Sequence, residues 1–157
     1  MLPIGAEEQA APMPGAGLAR TVEGNLEALS ADAAITWLTE HSPIPDTGSL
    51  RADLRGFASK VAADVSGPAG LGVLRLAMAL SNAGETGAQA RNQFLTARFD
   101  QLRAMVDRAA ARGERAPDPM QIVDHILAPI YVRTLFGLGP LGDAYTDALA
   151  DRLVDRS

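Results

Sequence analysis

Cysteine is missing altogether, which excludes disulfides, thiol catalysis and thiolate metal sites. Aromatic residues make up only 4% of the chain while Ala and Leu abound, a balance that favours helix over sheet. No stretch alternates apolar and polar residues for long, and there is no internal repeat. Lysine occurs once, at Lys60, and the other basic residues are arginines, a bias of GC-rich genomes that carries no functional meaning. No run of 18 apolar residues is present, and Met1 to Ala19 has three prolines and no basic n-region. The expectation is a soluble, cytoplasmic protein with no membrane partner. A net charge of −5 speaks against nucleic-acid or membrane-surface binding by the chain as a whole. No GxxxxGK[ST], HExxH or GxSxG motif and no acidic metal loop occurs, and two lone histidines on separate elements, His41 and His125, make no metal site. No cofactor and no catalytic residue is expected.

What is present is enough for one domain: 157 residues, 47% of them hydrophobic. The organising stretch is Pro117 to Arg156, read as two helices joined by a tight turn. Asp118-Pro119 is a start signal, the Asp capping free amides and the Pro occupying the first helical position. Ile122, Val123, Ile126, Leu127, Ile130, Tyr131 and Leu135 recur at helical spacing. From Ala128 to Leu138 the helix is apolar almost all round, with Arg133 and Thr134 as exceptions. Gly137-Leu138-Gly139-Pro140 breaks it. Gly137 to Gly142 formally fits GxGxxG, but a helix precedes it and Pro140 removes an amide, so it reads as a turn. The second helix carries Leu141, Tyr145, Leu149 and Leu153 on one stripe. A helix apolar on every side must be covered on every side, which points to a second copy of the chain and a four-helix dimer interface. Leu127, Ile130, Thr134, Leu141, Tyr145, Ala148, Leu149 and Arg152 are its candidate residues. A charge at Arg133 must be paired if buried; Asp143 or Asp147 of the next helix, or the same residues of a partner chain, are the expected structural partners, with an acidic ligand as the functional alternative. Asp118, Asp124, Asp143, Asp147, Asp151 and Asp155 read as a solvated acidic face.

Upstream, residues 1–20 form an Ala-, Pro- and Gly-rich flexible lead-in, and the domain spans 21–157. Thr21 opens a helix through Trp37 and Leu38, and His41 sits at its end before a proline-containing loop. Ser49 is an N-cap for a helix carrying Leu50, Leu54, Phe57, Val61 and Val65. Ala69 to Leu80 is apolar nearly all round, loosened by Gly70 and Gly72. Asn82-Ala83-Gly84-Glu85 is a turn. The longest helix runs from about Thr86 to Arg112, with Leu95, Phe99, Leu102, Val106 and Ala109 as its apolar stripe and Phe94, Arg98 and Met105 alongside. Gly113 stops it, with Arg108 and Arg112 at the negative end of its dipole.

Three stretches in order carry a resemblance: Pro45-Asp46-Thr47-Gly48-Ser49-Leu50-Arg51-Ala52-Asp53-Leu54, then Arg108-Ala109-Ala110-Ala111-Arg112-Gly113-Glu114, then Ile130-Tyr131-Val132-Arg133-Thr134-Leu135-Phe136 followed by Gly139-Pro140-Leu141. Together they resemble the C-terminal regulatory domain of the TetR family of bacterial transcription repressors, over about Asn25 to Asp155. The resemblance implies an all-α domain of about six helices, no enzyme activity, a homodimer built on the last two helices, and an apolar pocket for a small-molecule effector. Effector binding would shift the separation of two N-terminal DNA-reading heads. Met1 to Thr21 is shorter than such a head and has one Arg and no Lys, so DNA would be contacted only through a helix-turn-helix head not evident in this chain. A late gene start or disrupted head, an isolated domain, and a natural head-less regulator all fit that departure. Candidate pocket residues are Phe57, Met78, Phe94, Arg98, Met105, His125 and Tyr131, chosen because Met and aromatics line adaptable cavities and a few polar groups orient a ligand. The alternative for Phe57, Met78, Phe94 and Met105 is ordinary filled core, and for His125 an exposed or hydrogen-bonded histidine. The rival functions are a purely structural dimerisation module, a head-less antagonist forming mixed dimers, and an enzyme on a helical scaffold.

Overall fold

A computed structural model describes residues 43–80 and 84–157. The lead-in over 1–20, the helix expected from Thr21, His41 and the Asn82-Ala83 turn lie outside the described residues. Among those described there are five helices and no strand: α1 (Leu50–Ser66), α2 (Pro68–Leu80), α3 (Gly84–Ala111), α4 (119–136) and α5 (Asp143–Val154). The described part of the chain is all-helical, as composition and periodicity predict.

The core is built around α1, which packs against each of the other four helices. Ser49 caps it, its hydroxyl accepting from the Ala52 amide at 3.3 Å. Leu50, Leu54, Phe57, Val61 and Val65 then recur every three or four residues, with Ala58 beside them, and all are buried. They meet Leu102, Met105 and Ala109 of α3, Ile122, Ile126, Leu127 and Ile130 of α4, and Leu149, Ala150 and Leu153 of α5.

The helix α3 buries Leu102 and Ala109 of the expected stripe but takes Arg98 and Met105, expected beside it, in place of Leu95, Phe99 and Val106. Arg98, Leu102, Met105 and Ala109 face inward, whereas Leu95 is 43% exposed and Phe99 and Val106 are only half-buried. Two neighbouring apolar stripes run along this helix, and packing against α1 and α4 selects the second. That choice brings Arg98 inside.

The Asp118-Pro119 start of α4 is a full capping box: Asp118 accepts from the Met120 amide at 2.8 Å while Gln121 accepts from the Asp118 amide at 2.9 Å. The helix is not uninterrupted. Val123–Leu127 forms a π-helical turn, closed by the Ala128 amide donating to the Val123 carbonyl. Pro129 explains it: with no N–H and a ring that collides with the carbonyl four residues back, it needs a wider turn. The extra residue sends Ile126 and Leu127 inward together. Gly137, at φ +64, closes the helix in the left-handed conformation.

The first two of the three signature stretches pack against each other. Asp53 is fully buried and accepts from the Thr47 amide and hydroxyl, both at 2.7 Å, and from Arg112 at 3.4 Å. Glu114 accepts from the Leu50 amide at 2.9 Å and from Arg112 at 2.7 Å. Those two contacts, the Leu50 amide first, hold the Glu114 carboxyl below the usual carboxylate range. Arg108 donates to the Pro45 carbonyl at 2.8 Å and lies 3.6 Å from Asp46. Arg108 and Arg112 therefore act as specific donors that join the end of α3 to the start of α1, beyond any effect on the dipole.

The acidic residues of α5 are not a purely solvated face. Asp151 takes hydrogen bonds from Arg55 at 2.8 and 2.6 Å and from Arg51 at 2.9 Å; Asp155 pairs with Arg51 at 2.6 Å, and Asp143 accepts from Ser59 at 2.9 Å. Arg55, then Arg51, lowers the Asp151 carboxyl to about 2. Because this lies below the unfolded value of about 3.9, the contribution is complete above that pH and is lost as pH falls towards 2. Acid unfolding of Asp151→Asn followed by circular dichroism should therefore show lower stability at pH 7 and a flatter loss of stability between pH 4 and 2 than the parent chain. Superimposable acid limbs would refute the α1–α5 clamp.

A cationic cleft between four helices

Four helices converge on a small apolar cleft of about 20 Å³, lined by Val65 of α1, Gly70, Val73 and Leu74 of α2, Phe94 and Arg98 of α3, and Tyr131 of α4. The connection Ser66-Gly67-Pro68 turns α2 sharply back on α1. Gly70 permits the approach: a Cβ there would sit 1.8 Å from the Asp64 carbonyl oxygen.

Arg98 dominates the electrostatics. Its residue is 5% exposed, and among the described residues it forms no ion pair. One terminal nitrogen donates to the Tyr131 hydroxyl at 3.1 Å and the other to Gln101 at 3.3 Å. The guanidinium carbon lies 5.4 Å from the centroid of the Phe57 ring, close enough for a cation–π contribution. Its Nε is buried and has no hydrogen-bond partner. The Tyr131 hydroxyl accepts from Arg98, which leaves its own proton available to an acceptor.

Of the seven residues the sequence singles out for a pocket, the structure gathers four: Phe94, Arg98 and Tyr131 line the cleft and Phe57 lies beneath the cation. Met105 is fully buried in the core. Met78 is 55% exposed, one turn past Leu74 on α2. His125 is exposed and faces a different groove, of about 230 Å³, shared with Asp124, Pro129, Leu149, Arg152, Leu153 and Arg156. The sequence reading missed Val65, Gly70, Val73 and Leu74. The available signal was Gly70 itself, a glycine early in an apolar helix directly after a sharp break.

Within its own chain Arg133 does not meet the expected carboxylates, and it is only half-buried. In place of Asp143 or Asp147, its guanidinium stacks on Tyr145, 4.2 Å from the ring centroid, and it makes no ion pair among the described residues. Of the residues expected to meet a second chain, Leu127 and Ile130 are buried in this chain's own core and Leu149 is 7% exposed. Thr134, Leu141, Tyr145 and Ala148 are half-buried, and Arg152 is exposed. Among the described residues no group of His, Asp and Glu side chains could hold a metal, and no helix is long and apolar enough to cross a membrane.

The comparisons with known proteins bear on the family of this domain. A family profile described as "Tetracyclin repressor-like, C-terminal domain" matches residues 44–153. A curated relative, the HTH-type transcriptional regulator AqdR of Rhodococcus erythropolis, is 30% identical over 86 residues, which are 55% of this chain and 41% of that protein. The matched region thus spans less than half the length of that regulator. The profile match covers most of the chain and all five described helices up to Leu153, and the chain belongs to the tetracyclin repressor-like C-terminal domain family.

Proposed function

We propose that this chain is the regulatory part of a TetR-type transcription regulator, which homodimerises through α4 and α5 and binds a small, mostly apolar effector between α1, α2, α3 and α4. The observation that carries the effector reading is the cleft itself. Four helices meet there around apolar walls, and the polar groups among its lining side chains are the Arg98 guanidinium and the Tyr131 hydroxyl. That combination suits orientation of a small molecule. An effector fitting one arrangement of these helices favours it by its differential affinity alone. Output to DNA would pass through a helix-turn-helix segment, the feature named for the Rhodococcus relative.

The dimer reading rests on the outer face of the C-terminal pair. Phe136 is 74% exposed, Leu138 52% and Val132 47%, a concentration of large apolar side chains at one end of α4. Beside them runs the groove between α4 and α5. Because Leu127 and Ile130 are consumed by the chain's own core, the symmetric partner would meet Val132, Phe136, Leu138, Ala148 and Arg152.

Light scattering should return twice the 16.4 kDa chain mass, and Phe136→Asp should yield monomers. A parent chain that is monomeric at tens of micromolar would refute the dimer. For the effector, thermal denaturation across a library of small apolar compounds should raise the midpoint with some of them. A ligand at about 100 times its Kd adds about 2.7 kcal/mol to folding stability.

A further inference from the structure

Arg98 is a charge-incomplete site. Removing a guanidinium from water is costly unless an anion and a full set of acceptors compensate. Here the cation has two neutral acceptors and an aromatic face, one buried N–H without a partner and, among the described residues, no carboxylate. Other arginines of this domain at the α1–α3 and α1–α5 contacts have carboxylates: Arg51, Arg55, Arg108 and Arg112 each lie within 4 Å of an Asp or Glu. Among the described residues Arg98 is thus a buried arginine whose packing supplies no counter-charge, and it lies in the wall of the cleft. The Tyr131 hydroxyl next to it offers a second donor in the same direction of chemistry.

From this we infer that the effector carries a carboxylate on an apolar body, with the anion held by the Arg98 guanidinium and the Tyr131 hydroxyl and the body lying against Val65, Val73, Leu74 and Phe94. This inference rests on the effector reading above. It gives that reading a chemical class: an apolar monocarboxylic acid rather than an alcohol, an ester or an amine. Charge-assisted hydrogen bonds are roughly twice as strong as neutral ones, so the acid would be chosen over its neutral analogues of equal size. At about 20 Å³ the cleft holds little more than a water molecule. Binding must therefore part its walls, and α2 is the short helix that forms one side of it. The carboxylate would supply both the missing counter-charge and the differential affinity for the opened arrangement.

Matched probes separate this inference from the reading it rests on. Octanoate and benzoate would be compared with octanol, methyl octanoate and benzyl alcohol, by thermal shift and isothermal calorimetry at pH 7, on the full chain. The expected result is binding by an acid, with its neutral partners weaker by roughly 10- to 100-fold, the span of one charged hydrogen-bond pair. Arg98→Met should abolish that preference while the variant without ligand unfolds no earlier than the parent, because a buried unpaired charge has been removed. Arg98→Lys should retain part of the preference, and Tyr131→Phe should reduce it. If acids and neutral analogues bind equally well, the carboxylate inference is overturned and the effector reading stands. If none binds, neither the inference nor an apolar effector of this size survives. If acids bind equally well to the parent and to Arg98→Met, the anion sits elsewhere and the inference fails.

Discussion

Phe57→Ala is expected to lose about 3–5 kcal/mol of folding stability. Phe57 is among the largest fully buried side chains, on the helix that touches every other described helix, and its ring carries the Arg98 guanidinium. Truncation removes the transfer term of the ring, leaves a void that helices on all sides hold open, and takes away a cation–π contact. Against a usual total of about 5–15 kcal/mol, that is a large share. Urea unfolding should show the lower midpoint at an unchanged slope. Phe57→Leu, which keeps most of the volume, should cost clearly less. A loss under about 1 kcal/mol for the alanine variant would mean that the core is not centred on α1.

The second large effect concerns Gly70. A methyl group there would lie 1.8 Å from the Asp64 carbonyl oxygen, 2.5 Å from its carbon and 2.8 Å from the Val65 Cα. All three are main-chain atoms, so no side-chain rotation relieves the collision and α2 must slide off α1. Gly70→Ala should cost about 3 kcal/mol or more. Gly72→Ala is the control: a Cβ there meets nothing within 4 Å, and replacing a glycine inside a helix should gain about 0.5–1 kcal/mol. Thermal denaturation of the two variants should thus move in opposite directions. A shift of the same sign for both would contradict the close crossing of α1 and α2.

These two residues mark how far the sequence could be read. Phe57 stands on a clean helical repeat behind a serine cap, and both the repeat and the cap appear as expected. The Asp118-Pro119 start and the Gly137 stop were equally plain, because capping chemistry is local. Gly70, by contrast, looked like a weak point in a helix, since the sequence does not show which backbone lies opposite. The same limit explains the rotated stripe of α3. Phe94, Arg98 and Met105 compete with Leu95, Phe99 and Val106 at equal periodicity, and only the neighbouring helices decide. Asp151 looked solvated because Arg51 and Arg55 stand about a hundred residues away in the chain. The widened turn in α4 goes unread, although Pro129 carries its signal: a proline inside an apolar helix must be accommodated somehow. The pocket was half legible: its aromatic and cationic members carry chemical identity in their side chains, whereas Val65, Val73 and Leu74 are ordinary apolar residues until they are seen to share a wall.

The fastening of Glu114 and Arg112 to the start of α1 also sets what kind of motion α3 is free to make. It secures one end of a 28-residue helix, roughly 40 Å long at about 1.5 Å per residue, while Arg98 lies near its middle. A wedge driven in beside Arg98 then acts on a lever whose fulcrum is the anchored end. Tilting such a rod by roughly 5° would carry its far tip about 3.5 Å, so under the proposed effector reading a molecule held in the cleft would be read out, enlarged, at the opposite end of the domain.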